Sequence, residues 1–124
     1  MTINFTTEEY KAMRTELKAN AFASLIRLMP MDRGDAIFHV ARICNKSYGA
    51  VRDWEKFGVP NKYINAVLDI AKQNDIRIYK HQLSPTSAVV NQWLTWCFEI
   101  DKDRHISKQL FPNWSASMKK GRAA

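Results

Sequence analysis

Residues 36–60 carry the strongest structural signal in the chain, and they read AIFHVARICNKSYGAVRDWEKFGVP. The pattern of apolar residues predicts a short helix over 36–44 and a second short helix over 48–57. Between them, Asn45 suits a tight turn because asparagine tolerates the left-handed backbone conformation better than most residues. Ser47 is a preferred residue for capping the start of a helix. The segment therefore predicts two short helices joined by a tight turn.

A helix-turn-helix unit makes physical demands at fixed positions, and this segment meets them. Ala41 is the small residue needed where the two helices cross, and it precedes the turn residue Asn45 by four positions. Val51 and Trp54 follow at the positions where apolar side chains must face back toward the first helix. The other residues expected on the buried side of the first helix are Ile43 and Cys44.

With these residues in place, about residues 36–76 resemble the Cro and lambda-repressor type of helix-turn-helix. The resemblance rests on Val51-x-x-Trp54 in the second helix, followed by Gly58-Val59-Pro60 and another apolar helix. This arrangement is similar to that of Cro-like proteins of phages and mobile elements. The chain departs from the family at Asn45, where glycine is usual, and at Gly49, which costs a helix up to about 1 kcal/mol relative to alanine.

The resemblance implies that the first turn of the second helix enters the DNA major groove, so outward-facing residues there would contact DNA. Arg52 would make a bidentate contact to guanine O6 and N7, worth about 1–3 kcal/mol of discrimination. Tyr48 would pack on a thymine methyl or bond a phosphate, while Lys46 and Lys56 would contact the backbone. Gly49 would let the protein backbone approach a phosphate or base edge. The implied DNA-contact residues are Lys46, Ser47, Tyr48, Gly49, Arg52, Asp53 and Lys56.

Each of these residues also has a structural interpretation. Arg52 could instead pair with Asp53 or Glu55, which place negative charge on or beside the second helix. Trp54 is expected to be a core residue and not a stacking platform. Folds of this kind are also reused as protein-binding modules.

The segments before and after this unit also predict helices. Thr6 and Glu9 form a capping box for a long first helix, which ends at Met29-Pro30. Asp32 or Asp35 could cap the next helix. The apolar stripe of the first helix is Tyr10, Met13, Leu17, Ala21, Leu25 and Leu28. The buried face of a fourth helix, expected to end near Asn74, is Ile64, Val67, Leu68 and Ala71.

Beyond residue 75 the pattern is weaker. Residues 76–80 predict a short strand or an extended link. Ser84-Pro85 is expected to start a helix that carries Val89 to Ile100. On it, one of Trp93 and Trp96 is expected in the core and the other against a second subunit. From Arg104 onward the chain has no acidic residue, which predicts either a solvated basic tail or a DNA-contacting arm, with small residues at its end that are expected to be mobile. The basic residues are Arg104, Lys108, Lys119, Lys120 and Arg122.

These observations predict an all-α fold: a Cro/repressor-like helix-turn-helix core with a long N-terminal helix and an additional C-terminal helix. Residues 1–80 would form the helix-turn-helix domain including the N-terminal helix. Residues 81–124 would form the C-terminal helix and basic tail, a possible oligomerisation element.

Composition adds constraints on the partner and the compartment. The formal net charge of +7 and a pI of about 9.6 favour a polyanionic partner. Cys44 and Cys97 lie far apart in apolar segments, which is typical of reduced core residues in a cytosolic protein. The sequence has no apolar run of the roughly 18 residues that a membrane span needs, and it does not begin with a signal peptide pattern. We therefore expect a cytoplasmic protein that does not enter a membrane.

An enzyme is not expected. His39, His81 and His105 have no metal-ligand spacing with either cysteine, and the chain has no glycine-rich phosphate loop or nucleophile elbow. We expect no cofactor and no metal. The expected function is sequence-specific binding of double-stranded DNA by a homodimeric transcriptional regulator that acts as a repressor. The alternative is a phage or mobile-element protein that uses this fold to bind and inhibit or redirect a host or phage protein.

Overall fold

The computed structural model describes residues 5–117, and across them the chain forms helices and connecting segments without a β-strand. The prediction of an all-α fold is confirmed. The helices are α1 (Thr7–Leu28), α2 (Arg33–Cys44), α3 (Tyr48–Phe57), α4 (Ile64–Gln73), α5 (Lys80–Leu83), α6 (Ser87–Thr95), α7 (His105–Leu110) and α8 (Pro112–Ser117). A 3-10 turn over Asn61–Tyr63 precedes α4, and a π-helical segment over Trp96–Ile100 continues α6.

The chain divides into two compact units. The central unit is Leu17–Pro85, and the terminal unit combines the described parts of Met1–Glu16 and Thr86–Ala124. The first part of α1 belongs to the terminal unit and the rest of it to the central unit. The central unit holds α2 to α5 and contains the segment that resembles a helix-turn-helix.

The start of α1 is confirmed, and its buried face agrees with the predicted stripe only in part: Met13 and Leu25 are buried, whereas other members of the stripe are not. Glu9 donates its backbone N–H to Thr6 Oγ1 over 3.1 Å, and Thr6 donates its own N–H to Glu9 Oε1 over 2.9 Å, which is the predicted capping box. Leu28 was predicted to be buried, yet it is 59% exposed. The face that packs in the central unit follows helical spacing from a different residue, and it consists of Phe22, Leu25, Ile26 and Met29.

Local capping signals determine where α2 and α4 begin and end. Asp32 caps α2 by accepting from the Asp35 N–H over 2.8 Å, so the helix begins at Arg33, three residues before the predicted start. The predicted end of α4 near Asn74 is confirmed. On α4, Ile70 is buried and Leu68 is only half-buried; the complete buried set is Ile64, Val67, Ile70 and Ala71.

The link after α4 is extended, and the next long helix begins later than predicted. Residues 76–79 form no helix or strand, so the extended link is the correct one of the two alternatives. The prediction that Ser84 caps a helix starting at Pro85 is wrong. Ser84 ends α5, Pro85 is buried, and Thr86 caps α6 by accepting from the Val89 N–H over 3.4 Å. The short helix α5 contributes Leu83 to the core of the central unit.

The terminal unit contains more structure than the single predicted helix. Residues 105–110 form α7 and residues 112–117 form α8, so the prediction of one C-terminal helix followed only by a basic tail missed these two helices. Phe111 and Trp114 are buried there, and their apolar area stabilises the two short helices. Lys119, Lys120 and Arg122 lie outside the described residues.

The two tryptophans of α6 and its continuation share one environment. Trp93 and Trp96 are both half-buried, with ring centroids 5.7 Å apart in an edge-to-face arrangement. Trp93 also packs edge-to-face on Phe111 at 5.1 Å. Because neither ring is fully buried, the prediction that one of the two tryptophans lies in the core is wrong, while the contact of the other with a second subunit stays a prediction.

Candidate nucleic-acid interface

The turn between α2 and α3 is formed by the residue that the sequence indicates. Asn45 has φ 55° and ψ 48°, which is the left-handed conformation. The Lys46 N–H donates to the Ala41 carbonyl over 2.9 Å, and the Asn45 N–H donates to the Arg42 carbonyl over 3.3 Å. These two bonds satisfy carbonyl groups that a helix end otherwise leaves without partners, in the pattern called a Schellman motif. Asn45 therefore ends α2 and reverses the chain within one residue.

The start of α3 is capped as predicted, and most of the predicted buried positions are buried. Ser47 Oγ accepts from the Ala50 N–H over 3.1 Å. The predicted buried residues Ala41, Cys44, Val51 and Trp54 are between 0% and 8% exposed. Ile43 was also predicted to be buried, but it is 46% exposed. Ile43 lies outside the stripe of α2 that faces the core. Its apolar side chain alone was therefore not enough to predict whether it is buried.

Trp54 lies at the centre of the core beneath α3. Its ring meets Phe22 of α1 edge-to-face at 5.6 Å and packs on Tyr63 at 5.3 Å between centroids. Only 5% of its surface is exposed, which confirms its prediction as a core residue. These contacts fix how α3 is rotated about its axis, and this rotation decides which of its residues face solvent.

The predicted DNA-contact residues form one group on α3 and the turn before it. Lys46, Ser47, Arg52 and Lys56 are exposed. Tyr48, Gly49 and Asp53 are half-exposed. None of the seven is buried, and all belong to the central unit. Three cations on a helix and its preceding turn are suited to contact an anionic ligand.

The two acidic residues near this group have different partners. Glu55 accepts a two-pronged contact from Arg33 of α2, at 2.5 Å from Nη2 and 3.4 Å from Nε. The hydrogen bond and the charge of Glu55 raise the pKa of Arg33 above its ordinary value. Asp53 Oδ1 lies 3.8 Å from Arg52 Nη2, with both side chains about half exposed. Of the two pairings considered for Arg52, the structure contains the one with Asp53.

Tyr48 is less available than its position in the first turn suggests. Its ring packs on Phe38 of α2, with centroids 4.9 Å apart. A Cβ atom placed on Gly34 would lie 3.9 Å from the Tyr48 hydroxyl, so that hydroxyl is close to the first turn of α2. One face of Tyr48 is thus covered by Phe38, and the hydroxyl lies beside the amino end of α2.

Neither the backbone conformation at position 49 nor the space around it requires glycine. Its φ is not positive, and a Cβ placed there would meet only the Arg52 guanidinium at 3.9 Å, an ordinary contact. An alanine would fit at this position in the unbound protein.

Lys62 and Tyr63, which were not among the predicted site residues, lie beside this group. Lys46 Nζ lies 5.6 Å from the centroid of the Tyr63 ring, and Lys62 Nζ lies 5.2 Å from the same centroid. The contact joins the turn before α3 to the 3-10 turn before α4. No short-range spacing links positions 46 and 62, so only the fold brings them together.

Other kinds of site find little support in the described part of the chain. Among residues 5–117, no group of three or more His, Cys, Asp and Glu side chains is placed to hold a metal ion. Cys44 and Cys97 are buried free thiols, and burial raises the pKa of each. No helix among the described residues is both long and apolar enough to cross a membrane.

Comparison of the chain with models of protein families, with curated proteins and with solved structures finds no match.

Proposed function

We propose that this protein binds double-stranded DNA sequence-specifically through α3 and acts as a transcriptional regulator. The observation that carries the proposal is the arrangement of α3 and its preceding turn. Val51 and Trp54 are buried, whereas Lys46, Arg52 and Lys56 are exposed. A short helix held by one apolar face, with its cations directed outward, is suited to the major groove.

The geometry of the connection between α2 and α3 supports a Cro-like helix-turn-helix. The left-handed Asn45, the Ser47 cap and the buried Ala41 are the features that such a unit requires at these positions. In the proposed complex Arg52 reads a guanine, and Lys46 and Lys56 contact phosphates. Arg52 must leave its contact with Asp53 to bind a base. It therefore binds only those DNA sites where its interaction with the base is more favourable than its interaction with the Asp53 carboxylate.

The proposed regulator acts as a dimer and represses by occupying a palindromic site. One recognition helix offers little specific affinity, so two would bind half-sites about one DNA turn apart, roughly 34 Å. Many apolar residues of α1 and α6, including Met13, Val90 and Leu94, are buried within the units and cannot form a dimer surface. The proposed dimer surface therefore consists of exposed apolar residues such as Ile100, Ile106 and Leu110.

The experiment is selection from a random duplex pool with the wild type, Arg52→Ala and Arg77→Ala. Arg77 is exposed in the link after α4, so its substitution removes the same charge away from α3. We expect the wild type and Arg77→Ala to enrich one palindromic motif, and Arg52→Ala to lose selectivity at matching positions in both half-sites. Failure of all three proteins to enrich any motif would overturn the proposal.

A second candidate function, binding of a protein partner, is favoured by one surface of α2. Phe38 is 63% exposed and lines a shallow groove of about 290 Å³. The other residues lining this groove are Met31, Asp35, His39 and Arg42. An exposed aromatic residue in a groove with mixed charges is typical of a protein-binding surface. A stable complex that forms without DNA and is lost in Phe38→Ala would support this function over the first.

A further inference from the structure

Two lysines from separate turns converge on one aromatic ring beside the start of α3. Lys46 belongs to the turn between α2 and α3, and Lys62 belongs to the 3-10 turn before α4. Their ammonium groups lie 5.6 Å and 5.2 Å from the centroid of the Tyr63 ring. Both distances are within the range of a cation–π interaction. The same ring therefore restrains two otherwise flexible side chains, each through its own cation–π contact.

The Tyr63 ring is itself held in place. It is half-buried and packs on Trp54, with centroids 5.3 Å apart and planes at 31°. Trp54 in turn is buried against Phe22. Because the ring is anchored to the core, the positions of the two ammonium groups are linked to the position of α3.

Both ammonium groups are available to a ligand. Lys46 and Lys62 are exposed, and neither forms an ion pair with another residue of the described chain. Each ammonium group carries a positive charge that an anion can neutralise. A lysine ammonium is a compact charge that suits phosphate oxygens without requiring a fixed planar geometry.

From this convergence we infer that Lys46 and Lys62, held by Tyr63, form a phosphate clamp for the backbone of the duplex that α3 reads. The inference rests on the proposed function. Lys46 directly precedes Ser47, which caps α3, so the clamp lies beside the first turn of that helix. Its ligand is the phosphodiester backbone, and its role is to set the register of α3 in the groove without reading sequence.

The test is the salt dependence of binding to duplexes of unrelated sequence. The affinities of the wild type, Lys46→Gln, Lys62→Gln and the double variant are measured over a range of salt concentrations. Lys72→Gln is the matched control, because Lys72 is an exposed lysine in the last turn of α4, away from the 3-10 turn. Each clamp substitution should reduce the slope of log affinity against log salt by about 1, and the double variant by about 2. The control should leave the slope unchanged.

A ring variant separates the role of Tyr63 from that of charge. Tyr63→Leu removes no charge, yet it should lower the slope because the lysines lose the surface that positions them. Tyr63→Phe keeps the ring and should behave as the wild type. Circular dichroism of each variant establishes that it is folded, and the two lysine substitutions test the clamp even where Tyr63→Leu does not fold.

The outcomes distinguish the clamp from the function on which it rests. If the wild type binds duplex with a steep salt slope and Lys62→Gln matches Lys72→Gln, the clamp is wrong and the proposed function stands. If the wild type binds no duplex at any salt concentration, the clamp and the proposed function are both overturned.

Discussion

Arg33 in the first turn of α2 binds both carboxylate oxygens of Glu55 of α3 through the Nε–Nη2 edge of its guanidinium, with Nη2 at 2.5 Å from Oε1 and Nε at 3.4 Å from Oε2. The contact connects the two helices on either side of the Asn45 turn. The Arg33 guanidinium also neutralises the negative charge of Glu55, which lies on the helix that we propose reads DNA. The Arg33 side chain is 58% exposed and that of Glu55 only 17%. Because the Glu55 carboxylate has less contact with water, it relies more than Arg33 does on the opposite charge of its partner.

The first prediction concerns this pair and DNA affinity. Arg33→Ala should lower duplex affinity about two- to fivefold, the size expected of one uncompensated charge near the surface. Arg33→Ala combined with Glu55→Ala should restore affinity to near the wild-type value, because the net charge returns to its original level. Fluorescence anisotropy with a labelled duplex measures both. If the double variant binds as weakly as the single one, Arg33 contacts the DNA itself.

The second prediction concerns Gly49 in the first turn of α3. Gly49→Ala should raise the free energy of unfolding by up to about 1 kcal/mol, because alanine is the better helix former and the added methyl meets only Arg52 at 3.9 Å. It should also weaken duplex binding, since the methyl group would separate this turn from the DNA. Urea unfolding and a binding titration measure the two effects. Unchanged binding in the more stable variant would show that Gly49 does not approach DNA.

The third prediction concerns the end of α3. Gly58 has φ 86°, and a Cβ placed on it would lie 2.5 Å from Lys18 Cβ of α1. Gly58→Ala should therefore lower the free energy of unfolding by about 2 kcal/mol or more, through backbone strain and overlap. Gly34→Ala is the control, because a Cβ there would meet its nearest neighbour at 3.7 Å. Equal stability of the two variants in urea would contradict the prediction.

The fourth prediction concerns pH and the terminal unit. Asp101 accepts from the Ser107 hydroxyl and backbone N–H, each over 2.5 Å, and from the Ile106 N–H over 3.4 Å. The Ser107 hydroxyl bond, followed by the backbone bonds, holds the pKa of Asp101 below its ordinary value of 3.8 despite burial. A carboxylate with a lowered pKa in the folded state stabilises the fold above its unfolded pKa, and this contribution is lost as pH falls through the folded value.

The thermal unfolding midpoint should consequently fall as the solution is acidified below about pH 4. Part of that fall should be absent in Asp101→Asn, which should be less stable than the wild type at pH 7. Ser107→Ala should give an intermediate pH dependence, because the backbone bonds to Asp101 remain. Scanning calorimetry at pH 3 and pH 7 measures these differences. An identical acid dependence in all three proteins would exclude Asp101 as a source of it.

The candidate interface could largely be predicted because its features are local. The capped start of α3 involves Ser47 and Ala50, and the turn involves Asn45 and the carbonyls just before it. Contacts of this kind lie within a few residues of one another, so the type of residue and its spacing predict them. The partners across the fold could not be predicted, because no spacing relates Arg33 to Glu55 or Lys46 to Lys62.

The sequence by itself determined the all-α class, the capping box of α1, the left-handed turn at Asn45 and the burial of Trp54. Each depends on backbone preference, on hydrogen bonds to near neighbours or on an apolar period along one helix. Only the tertiary structure decided that Phe22 and not Leu28 is buried, that Ile43 is exposed, and that residues 105–117 fold. An apolar period specifies that a helix has a face, but the burial of a given side chain depends on distant residues that pack against it. For Trp114 and Phe22 those partners lie far away in the sequence, so their burial is a property of the folded chain.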